Sequence, residues 1–323
     1  MELFPPNSKI RFMALRGWSI WVSVALMVLS IISIATKGFN LALDFSGGTV
    51  VEVVFDKDTE AASIRDAMEK AGFENAVVQA YSIREYAIRV RNLEGEQADA
   101  STASATGETR TVQTVGDKVG AAIKAAGLIG TIKKSEFVGA QMGRELLEDA
   151  LLAMLLVGVG ILLYVALRFE WKFAVAALAC SIHDVVIILG FFSITGIEFE
   201  LTVLAAILAL IGHSLNDTIV VFDRVREMFR TARKMDTIEL FDKAINNTLS
   251  RTIMTSVSTL FAVLAMYFFG GPVLHGFSIC LIVGIFLGTA SSILFACPVL
   301  LLLGANKRDL MKAEQDPRLA AMP

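Results

Sequence analysis

Charge is scarce in this chain: Asp, Glu, Lys and Arg make up 19% of its 323 residues, against 55% hydrophobic. The deficit is not evenly spread. Residues 18–36 form a run without a single charge, and five further apolar runs follow it. That clustering excludes one water-soluble globule and says that one part lies in lipid and another in water. Basic excess is missing as well, since the net charge is −3, so no nucleic-acid partner is indicated. Cysteine is nearly absent. Cys180, Cys280 and Cys297 all fall inside apolar runs, which excludes a disulfide framework and supplies no metal-ligand spacing; they read as small core residues. The chain also lacks the GxGD and HExxH signatures of intramembrane proteases.

What is present is long apolar sequence. A bilayer core about 30 Å thick needs about 20 apolar residues in helical form. Six segments qualify, at 18–36, 150–167, 173–195, 201–222, 252–269 and 273–303, the last overlong enough to tilt or begin outside the membrane. The first follows Lys9, Arg11 and Arg16 but is too long for a signal peptide and has no clean cleavage site after it. It reads as an uncleaved anchor. Lys and Arg fall in alternate short connections: Arg168 and Lys172; Arg224, Arg226, Arg230, Arg233, Lys234 and Lys243; then Lys307, Arg308, Lys312 and Arg318. The intervening loops, 196–200 and 270–276, have neither residue. Both termini, 1–17 and 304–323, are therefore expected in the cytoplasm, with a helical bundle over 147–303. An amphipathic segment at 224–248 reads either as a plain connector between the fourth and fifth spans or as a segment along the cytoplasmic interface, Met228, Phe229, Ile238 and Phe241 being available to lipid or to neighbouring spans.

Residues 37–146 are then an outside domain between the first two spans. Its pattern alternates. Strands are expected at 49–55, 76–81, 86–91 and 128–138, the third with Ile88 and Val90 on one face and Arg89 and Arg91 on a wet one. Helices are expected at 58–71 (Ile64, Ala67, Met68, Ala71) and 111–126 (Val115, Val119, Ala122, Ile123), stopped by Gly72 and Gly127. The order β-α-β-β-α-β makes this an α+β, ferredoxin-like domain. Residues 95–110, small and polar, read as a flexible excursion. Before the first strand stands LDFSGGT, residues 43–49. Glycines that cradle phosphate open a helix, whereas these lead into a strand. The expected structure is a tight turn out of the first span, with Asp44 accepting its free N–H groups.

Chemistry, if the chain carries any, is expected inside the membrane. Asp184 lies about 17 Å along the third span and Asp217 about 24 Å along the fourth, at 1.5 Å per residue. Arg251 begins the fifth. An ionised group at a helix centre costs about 2.5–3.5 kcal/mol on insertion scales, so each needs a reason. His213 and Asp217 share a helical face, and Arg251, Thr255, Ser258 and Thr259 form a polar stripe. Such a stripe could carry a hydrogen-bonded water file; it could equally consist of hydroxyls bonded to their own backbone, with an Asp–Arg pair that only locks helices. Asp184 reads as either a working acid or a helix lock. His183 and His213 read as packing residues and His275 as surface. Burial favours a neutral carboxyl and a guanidinium favours its anion, so movement of Arg251 would make Asp217 bind and release a proton.

The segments LDFSGGT (43–49), FEW (169–171), HDV (183–185), SLNDTIVVFDRVRE (214–227), RTIMTSVSTL (251–260) and FGGPVLHGFS (269–278) together resemble the SecF family of bacterial protein-export subunits, related to proton-driven RND exporters. The resemblance runs over nearly the whole chain. It implies an integral membrane protein of six transmembrane helices in the bacterial inner membrane, with a periplasmic ferredoxin-like domain. It further implies pairing with SecD beside the SecYEG channel, a YidC-type insertase nearby, and an unfolded preprotein as cargo. The family's proton-pathway acid falls on Asp217 within SLND, where Asn216 precedes it, and its arginine on Arg251. Its DFxGGT signature falls on Asp44, Phe45, Gly47, Gly48 and Thr49. The implied coupling ion is the proton, with no cofactor, no metal and no enzymatic activity. His213 departs from the family pattern, which often has Tyr there, and a second titratable group would alter the pH response. Three other readings compete: an RND-type small-molecule exporter, for which a loop of about 108 residues is too small; an intramembrane protease using Asp184 and Asp217; and a passive scaffold for SecD.

Overall fold

The computed structural model describes residues 10–46, 48–73, 76–90, 105–138, 140–231 and 235–305. Lys9, Gly47, Arg91, Arg233, Lys234, the 95–104 part of the excursion and the tail from 306 onward, with Lys307, Arg308, Lys312 and Arg318, lie outside them. The chain forms two compact units, Leu41–Leu151 and the remainder.

The first unit is a four-stranded sheet with two helices. β1 (Gly48–Phe55), α2 (Ala61–Lys70), β2 (Val77–Ala80), β3 (Glu85–Val90), α3 (Ala105–Ala125) and β4 (Gly130–Val138) follow one another. The sheet order is β2-β3-β1-β4 with every neighbouring pair antiparallel. This is the split βαβ connectivity expected from the element order. Strand period places Val51, Val53 and Phe55 on one face, where they meet Ile88 and Tyr86 across the sheet, Ile64 and Met68 from α2, and Val119 and Ile123 from α3. Ala87 departs from the expected alternation: it is fully buried on the other face, where its methyl lies between the longer Glu52 and Gln79 of the adjoining strands. α3 begins at Ala105, earlier than the expected 111, so the end of the polar excursion is helical. Each residue added to a nucleated helix gains a hydrogen bond, which outweighs a weak polar sequence.

The approach to β1 is not one tight turn. A single helical turn, Leu43–Ser46, intervenes, burying Phe45. Gly48 then opens the strand at φ 138°, a conformation that a side chain would strain.

The membrane-type helices are α1 (Arg16–Lys37), α4 (Ala140–Arg168), α5 (Trp171–Thr195), α6 (Leu201–Thr231), α7 (Thr237–Phe269) and α8 (His275–Leu294), all in the second unit except residues 140–151 of α4, which belong to the first. Among the described residues, six helices are long and apolar enough to cross a bilayer. The overlong last segment is two helices, α8 and α9 (Ala296–Leu302), broken at Phe295. Pro298 falls in the first turn of α9, where its missing N–H is tolerated.

Contacts define the two ends of this bundle. At one, the Phe199 amide donates to the Asn40 carbonyl at 2.8 Å and Asn40 donates to the Gly196 carbonyl at 3.0 Å, so the end of α1 sits on the α5–α6 loop. At the other, the Met13 amide donates to Asp242 at 2.7 Å and Lys172 donates to the Gly304 carbonyl at 2.8 Å. Arg16, Arg168 and Arg226 gather at that second end, Arg226 donating to the Arg168 carbonyl at 3.3 Å. The 224–248 stretch does not form a separate helix along an interface. It is the end of α6 and the start of α7, with Met228, Phe229, Phe241 and Ile245 buried, and the Phe229 and Phe241 rings 5.8 Å apart. Extending both helices lets their apolar faces bury each other. Only Ile238 among the four expected positions stays partly open.

Candidate functional site

Two polar clusters sit among the helices of the bundle. The first centres on Asp184 of α5, which is only 5% exposed. Its Oδ2 accepts hydrogen bonds from Ser214 of α6 at 2.6 Å and Ser291 of α8 at 2.9 Å. Its Oδ1 is 2.9 Å from His183 Nδ1. One carboxylate thus ties three helices together, and the imidazole beside it is held flat against Phe295, ring centroids 4.4 Å apart. Close approach permits the arrangement: a Cβ added at Gly288 would stand 3.2 Å from Ser214 and 3.7 Å from Asp184. A buried polar group is costly unless hydrogen-bonded, and Asp184 has three partners.

The second cluster centres on Asp217, one turn along α6 and 3% exposed. It is far less satisfied. Thr255 of α7 stands 3.4 Å from Oδ1, while Oδ2 is buried without a hydrogen-bond partner among the described residues. A turn away, His213 Nε2 is 3.4 Å from Thr259 Oγ1. Thr255 and Thr259 each also donate to a carbonyl of their own helix, at 2.9 Å in both cases. Beside them Ser256 and Thr289 of α8 share a hydrogen bond of 2.7 Å. Of the polar stripe on α7, Thr255 and Thr259 meet α6 and also bond their own backbone, Ser256 beside them meets α8, and Ser258 and Arg251 are exposed.

Arg251 is placed differently from the sequence expectation of an Asp–Arg pair. It is exposed, one turn from Thr255, and among the described residues no ion pair joins it to Asp217. Its long side chain lies on the open face of α7 in this arrangement rather than against α6. Asn216 is also exposed, pointing away from Asp217, because adjacent helical residues lie about 100° apart. Asp184 and Asp217 share no partner, so the acid pair that a protease would need is not formed between them by any common hydrogen bond. In the signature segment Thr49 is fully buried in β1, with Oγ1 unpaired, and Asp44 is partly exposed.

Ser214, Ser291 and Thr289 were not legible as site residues. Ser214 and Ser291 stand 30 and 107 positions from Asp184, so no helical spacing connects them. The sole sequence signal is a hydroxyl in an apolar run. The cysteines are buried and unlinked, Cys180 lying 4.0 Å from the Thr218 hydroxyl. Among the described residues no three His, Cys, Asp or Glu side chains group as a metal site.

Comparison with known proteins identifies this layout. The family described as protein export membrane protein SecD/SecF, C-terminal, matches residues 118–306, and the SecD/SecF GG motif matches residues 32–59. The protein translocase subunit SecF of Pseudomonas aeruginosa is 43% identical over 305 residues, covering 94% of each chain. That of Escherichia coli O157:H7 is 38% identical over 314 residues, covering 97% of this chain and 93% of the relative. The crystal structure of SecDF, a translocon-associated membrane protein from Thermus thermophilus, superposes with a TM-score of 0.79 at 35% identity. It covers 94% of this chain, which spans 40% of that longer chain. From the six apolar helices, the inserted sheet domain and these likenesses, the chain belongs to the SecF family of protein translocase subunits and is a multi-pass membrane protein of the Sec export pathway.

Proposed function

We propose that the chain works with a SecD partner in the bacterial inner membrane and uses the proton gradient to promote late steps of protein export. The observation that supports this reading best is Asp217: a carboxyl 3% exposed inside an apolar helix, with one oxygen unpartnered and the other 3.4 Å from a threonine. An acid buried for structural purposes alone would have its hydrogen bonds filled, as Asp184 does. An acid that must take up and release a proton needs spare capacity.

In this reading Arg251 moves toward Asp217 in another state and stabilises its anion, so that protonation and helix position are linked. Each charge crossing the membrane is worth about 2.3 kcal/mol per 100 mV, enough to bias a two-state element. The SecDF chain of Thermus thermophilus is longer than this one, which matches 40% of it, and supplies a second part that this chain would meet as a separate SecD subunit. α4 exposes Leu151, Leu155, Val159 and Leu163, and α7 exposes Phe261 and Phe268, which suits lipid and a membrane partner. The basic residues collected at the Met13 end favour that end as cytoplasmic, with both termini there and the sheet domain outside, facing unfolded preprotein. In this reading its further neighbours are the SecYEG channel and a YidC-type insertase.

The test is reconstitution of the full chain with SecD and the translocase, comparing wild type with Asp217→Asn. The proposal expects gradient-stimulated export to be lost and ATP-driven entry to remain. If the variant exports normally under a gradient, the passive-scaffold reading replaces it.

A further inference from the structure

The Asp217–Thr255 contact is repeated one helical turn along. Thr255 has one hydroxyl hydrogen and two acceptors, the Thr252 carbonyl at 2.9 Å and Asp217 Oδ1 at 3.4 Å. Thr259 likewise has one hydrogen and stands between the Thr255 carbonyl at 2.9 Å and His213 Nε2 at 3.4 Å. In each rung a hydroxyl on α7 faces a titratable group on α6 and a carbonyl of its own helix. A single hydrogen cannot serve both acceptors. When it goes to the nearer carbonyl, the threonine oxygen is left as an acceptor, and the group across from it must bring the hydrogen.

We propose that His213 is a second proton-binding residue of this chain, coupled to Asp217 through the paired threonines; this deepens the reading above and rests on it. In one state His213 is an imidazolium with hydrogen on both ring nitrogens and donates from Nε2 to Thr259, which donates to the Thr255 carbonyl; the neutral ring left after deprotonation keeps its hydrogen on Nδ1. Loss of the Nε2 proton to water turns the Thr259 hydroxyl toward the ring and releases that carbonyl. Protonated Asp217 would treat Thr255 and the Thr252 carbonyl in the same way. His213 is half-buried, and its Nδ1 makes no hydrogen bond among the described residues.

The order along the bundle gives the pair a direction. His213 is four residues, about 6 Å, nearer the 196–200 loop than Asp217, and Arg251 is a turn beyond Thr255 toward the opposite end. A proton entering from the loop side meets His213 first. The groups facing it are Asp217 on its own helix and Thr259, Thr255 and, farther off, Arg251 on α7. The next residue, Ser214, turns to a different face and donates to Asp184 of α5, which also meets His183 and Ser291 of α8.

Two measurements test this in the full chain reconstituted with SecD. The first is the pH profile of gradient-stimulated export for His213→Gln and Thr259→Val. Both are expected to shift its midpoint in the same sense, and Thr259→Ser is expected to restore it. Profiles that superimpose on wild type overturn the proposal. The second is imidazole nitrogen NMR, which resolves few signals because the chain has 3 histidines. The signal removed by His213→Gln is expected to titrate; a ring in one fixed form across the folded range overturns the proposal even if export is altered. Asp217→Asn is run alongside. If it alone abolishes stimulation, with His213→Gln silent, this inference fails and the broader function stands. If Asp217→Asn is itself silent, the broader function fails.

Discussion

Replacing Gly190 by alanine is expected to loosen α1 from α5. A Cβ there would stand 2.1 Å from Ser30 Oγ, 2.2 Å from Ser30 Cβ and 2.7 Å from Ser30 Cα. Non-bonded carbons need about 3.5–4.0 Å, and the Cα cannot rotate away, so α1 must withdraw by about 1 Å at this level. One turn on, Ser33 and Ser193 share a hydrogen bond of 2.9 Å, which such a withdrawal breaks. Overpacking costs about 1–3 kcal/mol, and an interhelical hydrogen bond in a membrane about 0.6 kcal/mol. A total of about 2–3 kcal/mol corresponds to a roughly 30- to 160-fold fall in the folded-to-unfolded ratio. The assay is reversible unfolding of the full chain in mixed micelles, with a Ser33→Cys/Ser193→Cys cross-link as a local readout after the native cysteines are changed to alanine. Gly190→Ala is expected to lower both unfolding midpoint and cross-link yield. Adding Ser30→Gly, which removes the two shortest contacts, is expected to recover part of each. An unchanged midpoint and yield in Gly190→Ala would refute the close approach on which the reasoning depends.

Other outcomes follow from the same geometry. Gly284→Ala meets the terminal methyls of Leu210 at 2.1 Å and 2.6 Å, atoms that can swing aside, so its cost is expected to be smaller than that of Gly190→Ala in the same unfolding assay. Asp184→Ala strands Ser214 and His183, while Ser291 keeps the Gly288 carbonyl at 3.1 Å, and is expected to cost about 2–3 kcal/mol in the same unfolding assay. Asp184→Asn keeps an acceptor oxygen and is expected to cost less than half as much, unless the negative charge is itself required. Ile88→Asp puts a charge at a fully buried position opposite Val51 and is expected to unfold the sheet domain, seen as rapid proteolysis within residues 41–151 of the full chain.

Which parts were legible in the sequence follows from the range of the forces involved. The alternation of Val51, Val53 and Phe55, and the Ile64–Ala67–Met68 spacing, report burial of neighbouring residues by a local period, so the sheet domain could be drawn before its packing was known. Apolar length marked the spans for the same reason. Asp217, His213, Thr255 and Thr259 were visible because i, i+4 spacing places residues on one face within a helix.

Tertiary structure decided what crosses between helices. That Asp184 is saturated by Ser214 and Ser291 while Asp217 keeps an open oxygen depends on side chains brought together from far along the chain. The exposed position of Arg251 and the inward turn of the 224–248 stretch are likewise set by packing. Local sequence determines which surfaces a helix offers; only the neighbour it meets determines which polar atom on that surface is satisfied. Burial makes an unsatisfied atom costly, and its partner is chosen by three-dimensional proximity rather than by position along the chain.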